Sequence, residues 1–122
     1  MLFWIAVGGA AGSVLRYAVG GAAQRAGGAA FPLGTLVVNM TGCFLIGVLV
    51  QHYMNTQTQP EMRAMLVTGF CGGYTTFSAF SIETVGLIQG GEYQKAALYT
   101  ITSLLLSLAA TFAGIAAVAK LQ

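Results

Sequence analysis

Charged residues divide the chain into long apolar stretches. Arg16, Arg25, Glu61, Arg63, Glu83, Glu92, Lys95 and Lys120 are the only Asp, Glu, Lys or Arg residues in 122 positions. Between Arg25 and Glu61 run 35 residues without one, between Arg63 and Glu83 run 19, and between Lys95 and Lys120 run 24. A helix needs about 20 apolar residues to cross the hydrocarbon core of a bilayer. The pattern therefore predicts four helical spans, at roughly Leu2–Ala23, Phe31–Tyr53, Glu61–Gln89 and Tyr93–Ala119. Pro32 suits the first turn of the second span, where a missing N–H costs nothing. The connectors Gln24–Ala30, Met54–Pro60 and Gly90–Glu92 are short, so successive helices should pack antiparallel. Runs such as Leu104–Leu108 do not alternate, which argues against the polar-in, apolar-out strands of a β-barrel. Met1–Gly21 does not read as a cleaved signal peptide, because it lacks a basic start and carries Arg16 where the apolar core should be.

Composition narrows the class further. The chain is 57% hydrophobic and 7% charged, against about 25% charged in a soluble domain. That surface cannot stay solvated, which excludes a soluble globular domain, a secreted disulfide scaffold, a nucleic-acid binder and a disordered protein. An all-α integral membrane protein remains, with no room for a soluble catalytic domain. Four spans put both termini on one side, with Arg63 and Lys120, and leave Arg25 and Lys95 on the other. Loop Lys/Arg imbalance sets orientation, and here the loops balance. Two readings stand: a subtle insertion signal, or insertion in both orientations to give an antiparallel dimer with its two-fold axis in the membrane plane.

Polar groups within spans are expensive and mark function by default. Gly8, Gly12, Arg16 and Gly20 recur at four-residue spacing on one face of the first span, a pattern that lets another backbone approach closely. Arg16 then either points into the protein or snorkels to the headgroups. In the second span Thr35 and Asn39 precede Gly42 and Gly47, and the Asn39 amide serves either as a ligand or as helix–helix glue. The third span carries adjacent Gly72 and Gly73, each costing about 1 kcal/mol in a helix interior. They predict a break over Gly72–Thr76, or else an unbroken helix at a tight crossing. A break would free carbonyls that suit a hard cation such as Na⁺ and a half-helix N-terminus that suits an anion.

Beyond it Phe77 and Phe80 share a face, as do Ser78 and Ser81. Phenylalanine edges are electropositive, so the pair lines an anion path or simply packs. Glu83 falls near the interface, at a vestibule. In the fourth span Tyr99, Ser103, Ser107 and Thr111 form a hydroxyl stripe at four-residue steps. His52 reads as interfacial, and Cys43 and Cys71 as small buried hydrophobes without a disulfide. No Cys/His/carboxylate cluster, nucleotide loop or nucleophile–base pair reads as an enzyme. Neutral donors dominate the interior, with one basic charge and Glu83 as its only acid. That inventory favours a small, strongly hydrogen-bonding anion over a proton-coupled cation, without naming the anion.

The segments Gly12-Ser-Val-Leu-Arg16-Tyr17, Pro32-Leu-Gly-Thr35-Leu-Val-Val-Asn39-Met-Thr-Gly42 and Gly72-Gly-Tyr-Thr-Thr-Phe77-Ser-Ala-Phe80-Ser81 closely resemble the Fluc (CrcB) fluoride channels, in motif order, length and span number. The resemblance implies an antiparallel dual-topology homodimer in the bacterial cytoplasmic (inner) membrane. It implies two fluoride pores per dimer, with Asn39, Phe77, Phe80, Ser81, Tyr99, Ser103 and Ser107 along each. Thr35, Glu83 and Arg16 take vestibule or structural positions. The Gly72 and Thr75 carbonyls match a structural Na⁺ site on the two-fold axis. The implied mechanism is passive: HF diffuses in, dissociates, and the trapped fluoride leaves through the channel, giving fluoride resistance. The competing assignment is a small multidrug-resistance-type exporter of lipophilic cations, whose signature is a glutamate in the first span; Arg16 stands there with no acid. A non-transporting scaffold would explain the glycine faces but not the hydroxyl stripe together with Asn39.

Overall fold

A computed structural model describes residues 1–122, and every element in it is helical. In chain order these are α1 (Leu2–Gly27), α2 (Leu33–Asn55), α3 (Pro60–Arg63), a π-helix (Ala64–Cys71), α4 (Gly72–Tyr74), α5 (Phe77–Gln89) and α6 (Tyr93–Ala119). The helices α1, α2 and α6 are long and apolar enough to cross a membrane. The fourth membrane-length unit is the interrupted run from α3 to α5. The chain is a multi-pass membrane protein, and its outward side chains, among them Val14, Leu105 and Phe112, suit lipid.

The connectors explain where the helices end. The first helix runs to Gly27, beyond the expected Ala23, because Gln24 ties it to the connector and to the first turn of α2. Its Nε2 donates to the carbonyls of Gly28 (2.6 Å) and Phe31 (2.9 Å), and its Oε1 accepts from Gly34 N–H (3.0 Å). The turn between α5 and α6 is a Schellman closure. Gly91 takes φ 78°, Glu92 N–H bonds Leu87 O at 2.8 Å, and Gly91 N–H bonds Ile88 O at 3.0 Å. At the opposite end Asn55 donates to Gln122, so the end of α2 lies beside the end of the chain.

Glycines set the helix spacing. A side chain at Gly8 or Gly12 would overlap the Met65 or Phe70 carbonyl of the π-helix, and one at Gly34 would overlap Gly20 O of α1. Gly47 and Gly114 do the same service between α2 and α6, against the carbonyls of Thr111 and Phe44. The glycine face of α1 thus meets the π-helix and α4 at one end and α2 at the other.

The break falls within the expected segment Gly72–Thr76, but at its threonines and not at its glycines. The chain stays helical through Gly72–Tyr74 and becomes extended only at Thr75 (φ −82°, ψ 157°) and Thr76 (φ −148°, ψ 114°). The glycines do not break the helix. Gly73 lies at a crossing so close that a Cβ there would sit 3.0 Å from Gly9 Cα, and packing outweighs its low helix propensity. The bulky Tyr74 is buried, stacked on Phe70 (ring centroids 5.9 Å apart) and joined to Thr41 Oγ1 at 2.8 Å. The π-helix Ala64–Cys71 has no counterpart in the pattern of the sequence.

Candidate ion pathway

The interruption at Thr76 is held by side chains. Asn39 Nδ2 donates to Thr76 O at 3.0 Å, and Asn39 Oδ1 accepts from Thr76 N–H at 2.7 Å. Thr76 Oγ1 in turn accepts from Ala79 N–H at 3.1 Å and caps α5, a regular N-cap role for threonine. In a continuous helix the Thr76 and Ala79 amides would bond the carbonyls of Gly72 and Thr75. Asn39 and the Thr76 hydroxyl take those amides, which releases the two carbonyls. Thr75 Oγ1 points back to Cys71 O at 2.9 Å. Two released backbone oxygens beside a break are the hard, neutral donors that suit an alkali cation.

A groove of about 580 Å³ opens alongside, walled by α2, the π-helix, α4, α5 and α6. Asn39, Gly72, Thr75, Phe77, Phe80, Ser103 and Ser107 all line it, with Cys43 and Cys71, and no charged residue or histidine does. Phe77 and Phe80 sit with ring centroids 5.5 Å apart, and Phe80 lies 5.2 Å from the ring of Tyr99. Phe77 is 76% exposed. The serine and threonine hydroxyls of α6 divide into two kinds. Those of Thr100, Thr102 and Thr111 bond back to carbonyls of their own helix, the common fate of such residues. Those of Ser103 and Ser107 have no partner in the chain and face the groove. Thr111 therefore does not continue the stripe, and Ser81 is exposed and lies outside the groove lining.

Glu83 marks the far end. Its carboxylate accepts from Thr35 Oγ1 at 2.7 Å and from Tyr99 OH at 2.6 Å, and Tyr99 is wholly buried. Two further cavities meet there. One of about 470 Å³ is lined by Arg16, Tyr17, Gln24, Thr35 and Glu83. The other, of about 540 Å³, lies at the connectors and is lined by Gln24, Phe31, Glu83, Glu92 and Lys95. Lys95 pairs with Glu92 at 3.0 Å, the only ion pair in the chain, so half-buried Arg16 shares a cavity with Glu83 without bridging to it. His52 is exposed at the end of α2, edge-on to Tyr53. Cys43 and Cys71 are free thiols.

Three residues here are not singled out by the sequence pattern. Thr76 falls inside the expected break, although a threonine opening an apolar helix is an N-cap signature. Gln24 falls in the expected connector and Phe31 at the expected start of the second span, which the structure begins only at Leu33, and no local signal gives them contacts with α2 and α6.

Comparison with known proteins bears on this geometry. Residues 3–115 match the family described as CrcB-like protein, Camphor Resistance (CrcB). A protein of Rhizobium etli named "Fluoride-specific ion channel FluC" is 53% identical over 115 residues, 92% of this chain and 90% of that protein. Proteins of the same name from Rhizobium meliloti and Thermus thermophilus are 50% and 47% identical, over 92% and 90% of this chain and 90% and 88% of theirs.

Proposed function

This chain belongs to the CrcB family, and on that premise we propose that it is a fluoride-selective channel, not an enzyme, which expels cytoplasmic fluoride passively across the bacterial inner membrane. The observation that carries the reading is the groove beside the break. Ser103 and Ser107 offer hydroxyls with no other partner, the rings of Phe77 and Phe80 form part of the wall, and no acid lines the space. Such donors replace part of the hydration shell that a small anion loses. A proton-coupled exporter of cations needs a buried carboxylate in that place. The interior's one acid, Glu83, instead stands at the far end, engaged by Thr35 and Tyr99.

The driving force needs no coupling. A membrane potential of about 100 mV is worth about 2.3 kcal/mol per elementary charge. At equilibrium that holds fluoride inside at roughly one-fiftieth of its outside level.

A second copy, packed antiparallel, completes the path. Phe77 is too exposed for a pore residue in an isolated chain, and a Cβ built on Gly72 meets nothing within 4 Å beyond its own helical turn. Arg63 and Lys120 balance Arg25 and Lys95, so neither orientation is favoured. In such a dimer the Gly72 and Thr75 carbonyls of both copies would hold a structural Na⁺ on the two-fold axis, a fixed positive charge at mid-membrane.

Fluoride efflux from liposomes tests the function. With an ionophore balancing charge, the protein is expected to release fluoride and retain chloride, and Phe77→Ile or Phe80→Ile should abolish or sharply reduce the flux while dimers persist. Wild-type flux in both variants would refute the pathway, and proton-coupled uptake of a lipophilic cation would favour the exporter. A C-terminal tag accessible from only one side of the membrane would refute the antiparallel dimer.

A further inference from the structure

A run of aromatic rings connects the mid-membrane groove to the cavity at the connectors. Phe77 lies 5.5 Å from Phe80, Phe80 lies 5.2 Å from Tyr99, and Tyr99 lies 5.5 Å from Phe31, edge-on at 83°. Phe77 and Phe80 line the groove, and Phe31 lines the connector cavity together with Glu83. Tyr99 is gripped between Phe80 and Phe31, and its hydroxyl donates to Glu83 at 2.6 Å. The direction of that hydroxyl therefore depends on the two rings that hold the phenol.

Phe80 stands on a helix, but Phe31 does not: it precedes α2 in the connector. Its backbone is held by Gln24, whose amide uses its nitrogen and its oxygen together. The nitrogen serves the carbonyls of Gly28 and Phe31, and the oxygen serves Gly34 N–H. Gln24 also lines both cavities that reach Glu83.

We propose that Gln24 and Phe31 are positioning residues for the outer end of the ion path: Gln24 fixes the connector, Phe31 fixes the Tyr99 ring, and Tyr99 thereby fixes the Glu83 carboxylate between the connector cavity and Phe80. The effect on conduction rests on the channel function proposed above. The positioning itself does not, and the two are measured separately.

The experiment compares Gln24→Leu, Phe31→Leu, Phe31→Tyr and Tyr99→Phe, singly and combined, by fluoride current through single channels in planar bilayers. Gln24→Leu and Phe31→Leu should each lower the conductance about fivefold, the factor for one net hydrogen bond or aromatic pair. Phe31→Tyr keeps the ring and should conduct as wild type. In the Tyr99→Phe background, where the bond to Glu83 is already gone, Gln24→Leu should add no further loss, because coupled residues are not additive. Wild-type conductance in Gln24→Leu, or losses that multiply in the Tyr99→Phe background, would overturn the proposal and leave Gln24 a plain loop tie. Fluorotyrosine incorporation with ¹⁹F NMR reads the Tyr99 ring directly. Its resonance should shift or broaden in Gln24→Leu and Phe31→Leu; an unmoved resonance overturns the proposal whether or not the protein conducts.

Discussion

Replacing Asn39 by alanine removes both partners of the Thr76 backbone at once. The amide accepts from Thr76 N–H at 2.7 Å and donates to Thr76 O at 3.0 Å, and Thr76 is only 8% exposed. A buried polar group left without a partner costs about 1–3 kcal/mol, so the two groups together set a range of about 2–6 kcal/mol. The adjoining groove admits water-sized molecules and is lined by Thr76 itself, which places the loss in the lower half of that range, at about 3 kcal/mol. Total stabilities are about 5–15 kcal/mol, so the variant should fold but melt early. For a chain of this length about 3 kcal/mol lowers the midpoint by roughly 10 °C. Thermal unfolding at fixed protein and detergent concentration is the assay, because any dimer makes the midpoint concentration-dependent. Asn55→Ala is the control: it removes an amide whose one bond, to Gln122, is exposed, and it should shift the midpoint by less than about 2 °C. If Asn39→Ala melts with Asn55→Ala, the break is not held by Asn39, and the release of the Gly72 and Thr75 carbonyls needs another cause.

The glycines give opposite expectations. Gly12→Ala drives a methyl into the Phe70 carbonyl, with Tyr74 N 2.8 Å away; such overpacking costs about 1–3 kcal/mol or more and should appear as aggregation or a lowered melting midpoint. Gly72→Ala meets nothing beyond its own helical turn and should leave monomer folding intact while abolishing cross-linkable dimers and any dependence of flux on Na⁺. Ser103→Ala removes a groove-facing hydroxyl with no other partner and should lower fluoride flux about fivefold at unchanged stability. Thr102→Ala, whose hydroxyl bonds Leu98 O at 2.7 Å, should leave the flux unchanged.

Charge spacing alone locates the membrane-length helices, because a bilayer admits so few Lys, Arg and Glu that each one marks a boundary or a function. The expected fourth span, Tyr93–Ala119, has the same limits as α6, where Gly90-Gly91 ends one helix and a charged pair begins the next. The pattern ends the first span short because Gln24–Ala30 has loop composition. Its helix persists to Gly27 through contacts Gln24 makes with residues up to ten positions ahead, which no local pattern encodes. The interruption of the third span is legible to within Gly72–Thr76, but which residues of that segment leave the helix is not. Gly72 and Gly73 mark the weakest helix formers, yet Gly73 is there to let α1 approach, and the chain opens instead where Asn39 can bond the freed backbone. The polar residues of the path are legible as a stripe of hydroxyls. Which of them bond back to their own helix, as Thr111 does, and which remain free, as Ser103 does, depends on what faces them. The π-helix Ala64–Cys71 leaves no signal, because its apolar run fits either helical pitch.

The current that a purified channel carries across a planar bilayer with a tenfold fluoride gradient, chloride making up the anion balance on the dilute side, tests the central claim most directly. A groove of neutral donors and aromatic rings that passes fluoride and rejects chloride predicts a current that reverses at the fluoride equilibrium potential and disappears in the Phe77→Ile, Phe80→Ile double variant. Reversal near zero potential, or an unchanged current in the double variant, would contradict it.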